Sequence, residues 1–335
     1  SRPNDARRRG FVEAQGAGVT LVCRASLAVK LGLPVFGVII FAGTSGDGLQ
    51  QSVPAPGQGA LVLASECRVQ KADPTACGFQ ARRDEVKQLE QQRPQLVALL
   101  GEERAAAVVV DARRRLGHQF HVGRQDISPL RGALAVFGLT ANDVGVVSKH
   151  DSSTQANDLN EARLHETLQD VLGRDGARPL RVISQKALTG HPKGAAAAWQ
   201  LHGLMQCLSQ GVVPGNASLD DVDEQMKQFP RLVWSDRSTT VPWSELKAGL
   251  VTTLGFGHVS ALMCVGHPFL FWRLLNAEQR AGYAQRLARR QVAGEQRLQE
   301  VLSGRAQLFV PRGGGPFVGR PEQEAALLLD AGARL

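Results

Sequence analysis

From residue 129 onward, apolar and polar positions follow a regular order of helix and strand. Short β-branched apolar runs predict buried strands, and longer stretches with apolar positions three and four apart predict helices. The expected strands are residues 34–41, 143–148, 180–184, 246–252 and 259–265, and the expected helices are 24–31, 130–137, 157–172, 194–209 and 276–305. Strands that alternate with helices predict an α/β protein with a doubly wound sheet.

Other regions depart from this order. Residues 10–23 hold apolar runs around glycines and predict two short strands. Residues 43–59 form a Gly/Pro/Ser-rich loop whose length suggests function. Residues 65–125 are rich in Gln, Glu, Arg and Ala, with an amphipathic pattern on both sides of Pro94. They predict an inserted helical hairpin, most simply a solvated excursion, and residues 312–316 predict a loosely ordered tail.

The composition restricts the class of partner. A chain of 335 residues with 43% hydrophobic residues can bury one large core or two smaller ones. Its net charge of +8 indicates an acidic partner, such as nucleic acid, acidic lipid or an acidic carrier protein. Nucleic acid is the weaker interpretation, because the basic residues are dispersed and aromatic residues are scarce. The longest apolar run, 33–42, is too short for a membrane span, and we expect no signal peptide.

The five cysteines are scattered and include no closely spaced pair. This argues against a disulfide framework. Cys67 and Cys77, followed by His118 and His121, do not have the spacing of a zinc site, so we expect no metal.

Polar residues with acid–base chemistry follow two of the predicted strands. His150 comes after 143–148, and Lys186 and His191 follow 180–184. Doubly wound sheets place their sites beyond the carboxyl ends of strands, so the two histidines should converge. Two neutral imidazoles could each donate an N–H to a developing enolate oxygen, and Lys186 would oppose protonation of His191.

These motifs resemble those of β-ketoacyl synthases, most of all the condensing domain of type I fatty acid synthases of the actinobacterial or fungal kind. Residues 150–154, His-Asp-Ser-Ser-Thr, are similar to the His-Gly-Thr-Ser-Thr motif of the family. Lys186 and His191 keep its Lys-x-x-x-x-His spacing, and residues 255–257 match its Gly-Phe-Gly motif. Two further stretches are also similar: residues 10–18 and 126–140.

The resemblance implies roles for particular residues. Both histidines would stabilise the enolate, and Lys186 would orient and tune the site. Phe256 would act as a gate, and its backbone N–H would form half of an oxyanion hole. Asp158 and Glu161 would help to hold the lysine, although an acid in the first turns of a helix also suits the helix dipole.

The resemblance also implies a thiolase-like fold of two similar α/β halves, mostly represented here by the C-terminal half. Residues 1–30 would end the N-terminal half, and residues 31–64 and 126–266 would form the C-terminal half. Residues 65–125 would be the helical insertion. Residues 267–335 would be a C-terminal helical extension and tail.

The nucleophilic cysteine of the family lies on a strand-to-helix turn among small residues, before all of these motifs. None of the five cysteines has that context, and the chain begins with Ser1 rather than Met. We therefore expect a C-terminal fragment, inactive alone, of a 3-oxoacyl-[acyl-carrier-protein] synthase. The reaction would be decarboxylative Claisen condensation of a malonyl thioester with an acyl chain in fatty acid biosynthesis.

The implied partners follow from the family. Substrates would be carried on the phosphopantetheine of an acyl-carrier protein domain, with no cofactor bound directly. The fold would pair as a homodimer within a larger cytoplasmic multienzyme. Three alternatives stay open: a non-decarboxylating thiolase-fold acyltransferase, which the second histidine disfavours; a non-catalytic structural or chain-length-factor-like portion, which the intact histidines and Lys186 disfavour; and, weakly, a nucleic-acid binder.

Overall fold

The computed structural model describes residues 1–47, 57–65, 78–309 and 322. Cys67, Cys77, residues 312–316 and part of the predicted 43–59 loop lie outside the described residues. The helices are α1 (Ala25–Leu31), α2 (Gln58–Ser65), α3 (Phe79–Gln91), α4 (Arg93–Leu100), α5 (Glu102–Leu116), α6 (Pro129–Val136), α7 (Gln155–Val171), α8 (Lys186–Thr189), α9 (Ala196–Gln210), α10 (Phe269–Leu274) and α11 (Ala277–Leu302). The strands are β1 (Val38–Gly46), β2 (Val144–Ser148), β3 (Leu180–Ile183), β4 (Val212–Val213), β5 (Leu232–Val233), β6 (Thr239–Thr240), β7 (Ala248–Gly255) and β8 (Val259–Gly266).

A six-stranded sheet has the order β1-β8-β7-β2-β3-β5. β2 pairs in parallel with both β3 and β7, and all five of its residues are buried. β3 also pairs in parallel with β5, whereas β8 pairs antiparallel with β7 and β1. Because β2, β3 and β7 run in the same direction, the residues that follow them lie along one edge of the sheet.

Helices cover both faces of this sheet, as the alternation of side chains along β2 requires. Val147 faces a core with α6 and α7, whereas Val146 faces the core formed with α9. α9 approaches β7 closely at Gly249, where a Cβ would lie 2.5 Å from a methyl carbon of Leu204. The buried strands and the helices that follow them therefore form a layered α/β structure, as the apolar pattern predicts.

The structure corrects three of the secondary-structure predictions. β1 extends to Gly46, into the predicted loop, because it pairs with the full length of β8. Residues 10–23 form no strand beyond a single bridge from Glu13 to His191, since no other described strand lies beside them. The predicted helical hairpin is three helices, α3 to α5, because Pro94 occupies the first turn of a separate helix.

The chain divides into two compact units, Ser1–Ala25 with Val35–Asn276, and Ser26–Pro34 with Ala277–Leu335. Within the second unit the Tyr283 hydroxyl donates to the Leu33 carbonyl at 2.7 Å. Among the described residues, no helix combines the length and apolar character needed to cross a bilayer.

Candidate active site

His150 and His191 meet at the sheet edge where β2 and β3 end. Their Nε2 atoms lie 3.3 Å apart, and the rings stand nearly edge to face with centroids 5.1 Å apart. His150 lies two residues after β2, and His191 follows the short helix α8, which begins three residues after β3. The predicted convergence of the two imidazoles is confirmed.

The neighbours of each ring fix which nitrogen carries the proton. The backbone N–H of Lys193 donates to Nδ1 of His191 at 3.1 Å, so the neutral ring carries its proton on Nε2. The Lys186 ammonium lies 3.4 Å from Nδ1 of His150 and can only donate, which places the proton of His150 on Nε2 as well. Two N–H donors thus converge on one position, where an oxygen atom would accept from both.

Burial and nearby cations keep both imidazoles neutral. Burial lowers the pKa of His150 well below its usual range, and the charge of Lys186 lowers it further. Burial, together with Lys186 and Lys193, lowers the pKa of His191 to about 4. Both rings are therefore neutral at physiological pH. A neutral imidazole can donate a hydrogen bond from Nε2 and keep its proton.

Lys186 is buried beside His150. Its ammonium donates to the His150 carbonyl oxygen and, at 3.3 Å, to Oε1 of Gln200. Burial lowers the pKa of Lys186 to about 8, and the charge of Glu161 opposes that shift. Among residues that the structure describes, no carboxylate oxygen lies within ion-pair distance of this ammonium. The nearby acids therefore affect the pKa of Lys186 by longer-range electrostatic interaction and not by direct contact.

Glu161 and Asp158 lie one turn apart on α7 and bind the loop after β2. Glu161 accepts the backbone N–H of His150 at 2.5 Å and that of Asp151 at 2.8 Å, one on each carboxylate oxygen. Asp158 accepts the backbone N–H groups of Ser153 and Asn4, each at 3.0 Å. The two acids therefore fix the backbone that carries His150 and do not bind Lys186 directly. Their catalytic support stays a prediction.

A second buried lysine, Lys149, lies immediately before His150 and was not singled out from the sequence. Its ammonium lies 2.7 Å from Oδ1 of Asp151 and donates to Oδ1 of Asn4 at 3.1 Å. Asp151 also accepts from the Ser184 hydroxyl at 2.6 Å and from Nδ2 of Asn4 at 3.1 Å. Asn4, in the N-terminal segment, thereby links the residues that follow β2 to Ser184, which follows β3.

Gln200 lies on α9, on the face of the sheet opposite α7, and its side chain bonds to backbone near the end of β2 and to β7. Its side-chain N–H groups donate to the carbonyl oxygens of Ser148 and Lys149, at 3.0 and 2.8 Å, and to that of Thr252 at 3.0 Å. On α9, Gln200 lies four residues after the buried Ala196 and four residues before the buried Leu204. A lone amide on an otherwise apolar stripe is the signal by which the sequence could have identified it.

Residues 11–14 hold the second histidine. The backbone N–H of His191 donates to the Val12 carbonyl at 2.7 Å, and the Phe11 ring packs on the imidazole with centroids 5.1 Å apart. The Lys193 ammonium lies over the Phe11 ring and 2.8 Å from Oε1 of Glu13. The stretch that resembles the family motif is thus a support for His191 and not a strand.

Phe256 lies in the turn between β7 and β8, followed by Gly257 at a φ of 81°. Its side chain is 64% exposed and, within the described part of the chain, stacks on neither imidazole. His258 is also left-handed, with a φ of 61°, and is buried. The predicted gate and oxyanion roles of Phe256 stay predictions.

The described cysteines lie apart from the imidazoles. Cys207 and Cys264 are buried, and burial raises the pKa of both thiols, to about 11 for Cys207. Cys23 is exposed at the end of the N-terminal segment. In the described residues, no cysteine sulfur contacts His150 or His191, and no cluster of three His, Cys, Asp or Glu side chains is arranged to hold a metal.

Comparison with known proteins gives a family for this arrangement. Residues 100–220, which include His150, Lys186 and His191, match the family described as "Beta-ketoacyl synthase, C-terminal domain". This part of the chain is therefore similar to the C-terminal domain of β-ketoacyl synthases. Over 88% of the chain, the structure also superposes on 41% of the noncanonical ketosynthase FabY from P. aeruginosa, with a TM-score of 0.55 at 18% identity. The fold is thiolase-like.

Two sequence relatives of this chain are fungal proteins. It is 40% identical over 308 residues to "Fatty acid synthase alpha subunit pigJ" of Monascus ruber, covering 87% of this chain and 17% of that protein. It is 32% identical over 354 residues to "Fatty acid synthase subunit alpha" of Saccharomyces cerevisiae, covering 98% of this chain and 19% of that protein. The chain thus spans about a fifth of the length of the curated relatives it matches.

Proposed function

We propose that this chain is the portion of a 3-oxoacyl-[acyl-carrier-protein] synthase that supplies the enolate-stabilising donors for fatty acid biosynthesis. The observation that carries this proposal is the pair of converging Nε2 atoms, 3.3 Å apart, with Nδ1 of each ring occupied from behind. A malonyl thioester would place its carbonyl oxygen between the two N–H groups. The oxygen would gain negative charge there as the reaction proceeds.

The reaction then follows from electron balance. The bond between the malonyl carboxylate carbon and the α-carbon breaks, carbon dioxide leaves, and the electron pair forms the enolate. The two neutral imidazoles hold the enolate oxygen by hydrogen bonds and neither donates its proton completely. The enolate carbon attacks the carbonyl carbon of an acyl thioester, and the thiolate leaves as the new carbon–carbon bond forms. Lys186 orients His150 by its bonds to Nδ1 and to the carbonyl oxygen.

The acyl thioester needs a nucleophilic cysteine, and none of the described cysteines suits that role. Cys207 and Cys264 are buried with raised pKa values, and a thiol held protonated is a poor nucleophile. Cys23 lies on the exposed segment. We therefore propose that this chain alone condenses nothing. The nucleophile, the rest of the pocket and half of the oxyanion hole opposite Phe256 would come from further polypeptide.

The names of the relatives, fatty acid synthase alpha subunits, support a place for this chain in such a synthase, and the rest of the setting is part of the proposal. The substrates would be thioesters on the phosphopantetheine of an acyl-carrier protein domain. The domain would act as a homodimer within a cytoplasmic multienzyme. Residues 1–30 would belong to one thiolase-like half and residues 31–64 with 126–266 to the other. Residues 65–125 and 267–335 would be peripheral.

The test compares this chain with a longer one that continues upstream to a cysteine flanked by small residues. Both are supplied with acyl- and malonyl-carrier-protein thioesters, and the 3-oxoacyl product and carbon dioxide are measured. Condensation should appear in the longer chain alone, and His150→Ala or His191→Ala should remove it. His118→Ala, in an exposed histidine after α5, is the matched control and should keep activity.

Two results would contradict the proposal. Condensation by the short chain, lost on alkylation of Cys23, would show that a described cysteine is the nucleophile. Gln or Ala upstream in the place of the cysteine, with carbon dioxide release and no condensation, would favour the non-catalytic, chain-length-factor-like alternative.

A further inference from the structure

A buried group of charges lies behind His150, and the mechanism above uses little of it. Three carboxylates, those of Asp151, Asp158 and Glu161, have no exposed surface. The cations that face them are the fully buried Lys149, the nearly buried Lys186 and the Arg8 guanidinium, which lies 3.7 Å from Asp158. Buried charges are costly unless they are paired, so the cluster depends on its balance of sign.

Lys149 is the cation that contacts Asp151 in this group. It bonds to Asp151 and Asn4, as described above, and also to the backbone oxygen of Asp158 at 3.4 Å. Burial opposes its charge, but the carboxylates of Asp151, Glu161 and Asp158 outweigh that effect and raise the pKa of Lys149. It therefore stays an ammonium without contact with solvent.

The backbone at His150 is bonded to Glu161, and these bonds suit the ionised form of the carboxylate. Both oxygens of this carboxylate accept N–H groups, and Oε1 also accepts the Thr252 hydroxyl at 2.6 Å. A protonated oxygen would present an O–H group, itself a donor, to these N–H and O–H donors. The hydrogen bonds that hold the backbone of His150 would then be lost. Burial raises the pKa of Glu161 and Asp151 raises it further, whereas Lys149 lowers it. The groups that face this carboxylate are Lys149, Asp151, Asp158, Lys186, His150 and His165.

We infer that Lys149 is a positioning residue for the two-histidine site, whose buried charge keeps Glu161 ionised and so holds the backbone of His150 in place. The inference rests on the proposed function only in the purpose it gives to His150. The strained backbone agrees with a charge-driven arrangement: Asp151 has a φ of 41°, a conformation that non-glycine residues seldom adopt, and its carboxylate is held by Lys149, Ser184 and Asn4.

The experiment changes charge while preserving shape. Lys149→Met removes the cation, Asp151→Asn removes its nearest anion, and the double variant removes both. Asn is suited to the left-handed conformation at this position. Lys227→Met, in an exposed lysine paired with Glu224, is the control. Each chain is labelled with 15N-histidine, and the His150 amide and ring resonances are followed as pH falls.

In the unchanged chain, the His150 amide should shift as Glu161 takes up its proton. In Lys149→Met the midpoint should move to higher pH by about one unit or more, a tenfold change in proton affinity. In the double variant it should return toward the original midpoint, and Lys227→Met should leave it unchanged. A role in packing alone would not produce this return, because the double variant lacks the same side chain.

Folding provides a second outcome. If Lys149→Met does not fold, the double variant should still fold, because its buried charges balance again. A midpoint that does not move in Lys149→Met, or that moves and is not restored in the double variant, would overturn the inference. So would a double variant that fails to fold while Asp151→Asn folds. No substrate is used, so these outcomes are independent of the condensation assay.

Discussion

Acidic and basic side chains have very different surroundings behind His150 and on helices α3 to α5. Behind His150, Asp151, Asp158 and Glu161 are fully buried, and each accepts hydrogen bonds from the backbone or from neighbouring side chains. On the helices, ion pairs such as Arg113 with Glu90 are solvent-exposed. The same chemical groups therefore have different consequences, because burial makes every unpaired charge expensive and water makes it cheap.

The largest effect should come from Glu161→Ala. The change leaves the buried N–H groups of His150 and Asp151 without their acceptor and unbalances the buried charges. We expect a loss of about 3–5 kcal/mol in the free energy of unfolding, measured by urea denaturation. Glu102→Ala, which removes an exposed partner of Arg93, is the matched control. Equal losses in the two variants would mean that burial does not distinguish these regions.

A smaller effect is expected from Thr252→Val, which keeps the shape of the side chain. The Thr252 hydroxyl donates to Glu161 and accepts from Nε2 of the buried His165 at 2.9 Å, so both lose a partner. The expected loss is about 1–3 kcal/mol. Thr240→Val, at an exposed position of β6, should change little. A Thr252 variant as stable as the Thr240 variant would show that this network contributes no stability.

The pH dependence of stability should also separate buried from exposed histidines. Burial lowers the pKa of His165 to about 3 and, with nearby lysines, that of His191 to about 4. The unfolded chain takes up these protons near pH 6.5, where the folded chain does not. The two histidines should therefore contribute a rise in the free energy of unfolding as pH rises from about 4 to about 6.5, because the unfolded state binds more of their protons there. Asp158, whose pKa burial raises to about 7, contributes in the opposite direction.

His165→Gln should flatten this rise, and His118→Gln, at an exposed position, should leave it as steep as in the unchanged chain. Thermal unfolding at several pH values provides the measurement. A curve that responds equally to both variants would contradict the assignment of a neutral, buried His165.

The smallest effect is expected on the insertion. Arg113→Ala breaks the ion pair with Glu90, whose partners are 59% and 40% exposed. The expected change in the free energy of unfolding is within about 0.5 kcal/mol and should shrink as salt is added. Arg8→Ala is the informative counterpart, because that guanidinium is buried against Asp158 and Asp223. If Arg113→Ala and Arg8→Ala lowered the free energy of unfolding by comparable amounts, exposed ion pairs would stabilise the insertion after all.

Local periodicity predicted most of the buried sheet. β2, β3, β7 and β8 lie within one to three residues of their predicted bounds, because a buried strand produces a continuous apolar run. The predictions were wrong for residues 10–23 and for the end of β1. There the outcome depends on whether another strand lies alongside, which apolar spacing does not report.

The candidate site was also predicted only in part from the sequence. The positions of His150, Lys186 and His191 after their strands follow from the order of elements along the chain, and so does their placement at one edge. The resemblance to the family pointed to Glu161 and Asp158, but it did not show that these acids bind backbone N–H groups. Nor did it show that, within the described part of the chain, no carboxylate is in contact with Lys186.

The sequence by itself determined the order of the main helices and strands and the places of His150 and His191 after two of those strands, since both are recorded in local spacing. Only the tertiary structure decided which groups surround those histidines. Asn4 and Lys149 are separated by 145 residues, and Gln200 bonds to a carbonyl 52 residues away, on β7. Such pairs depend on the path of the whole chain, and burial then decides whether their charges matter.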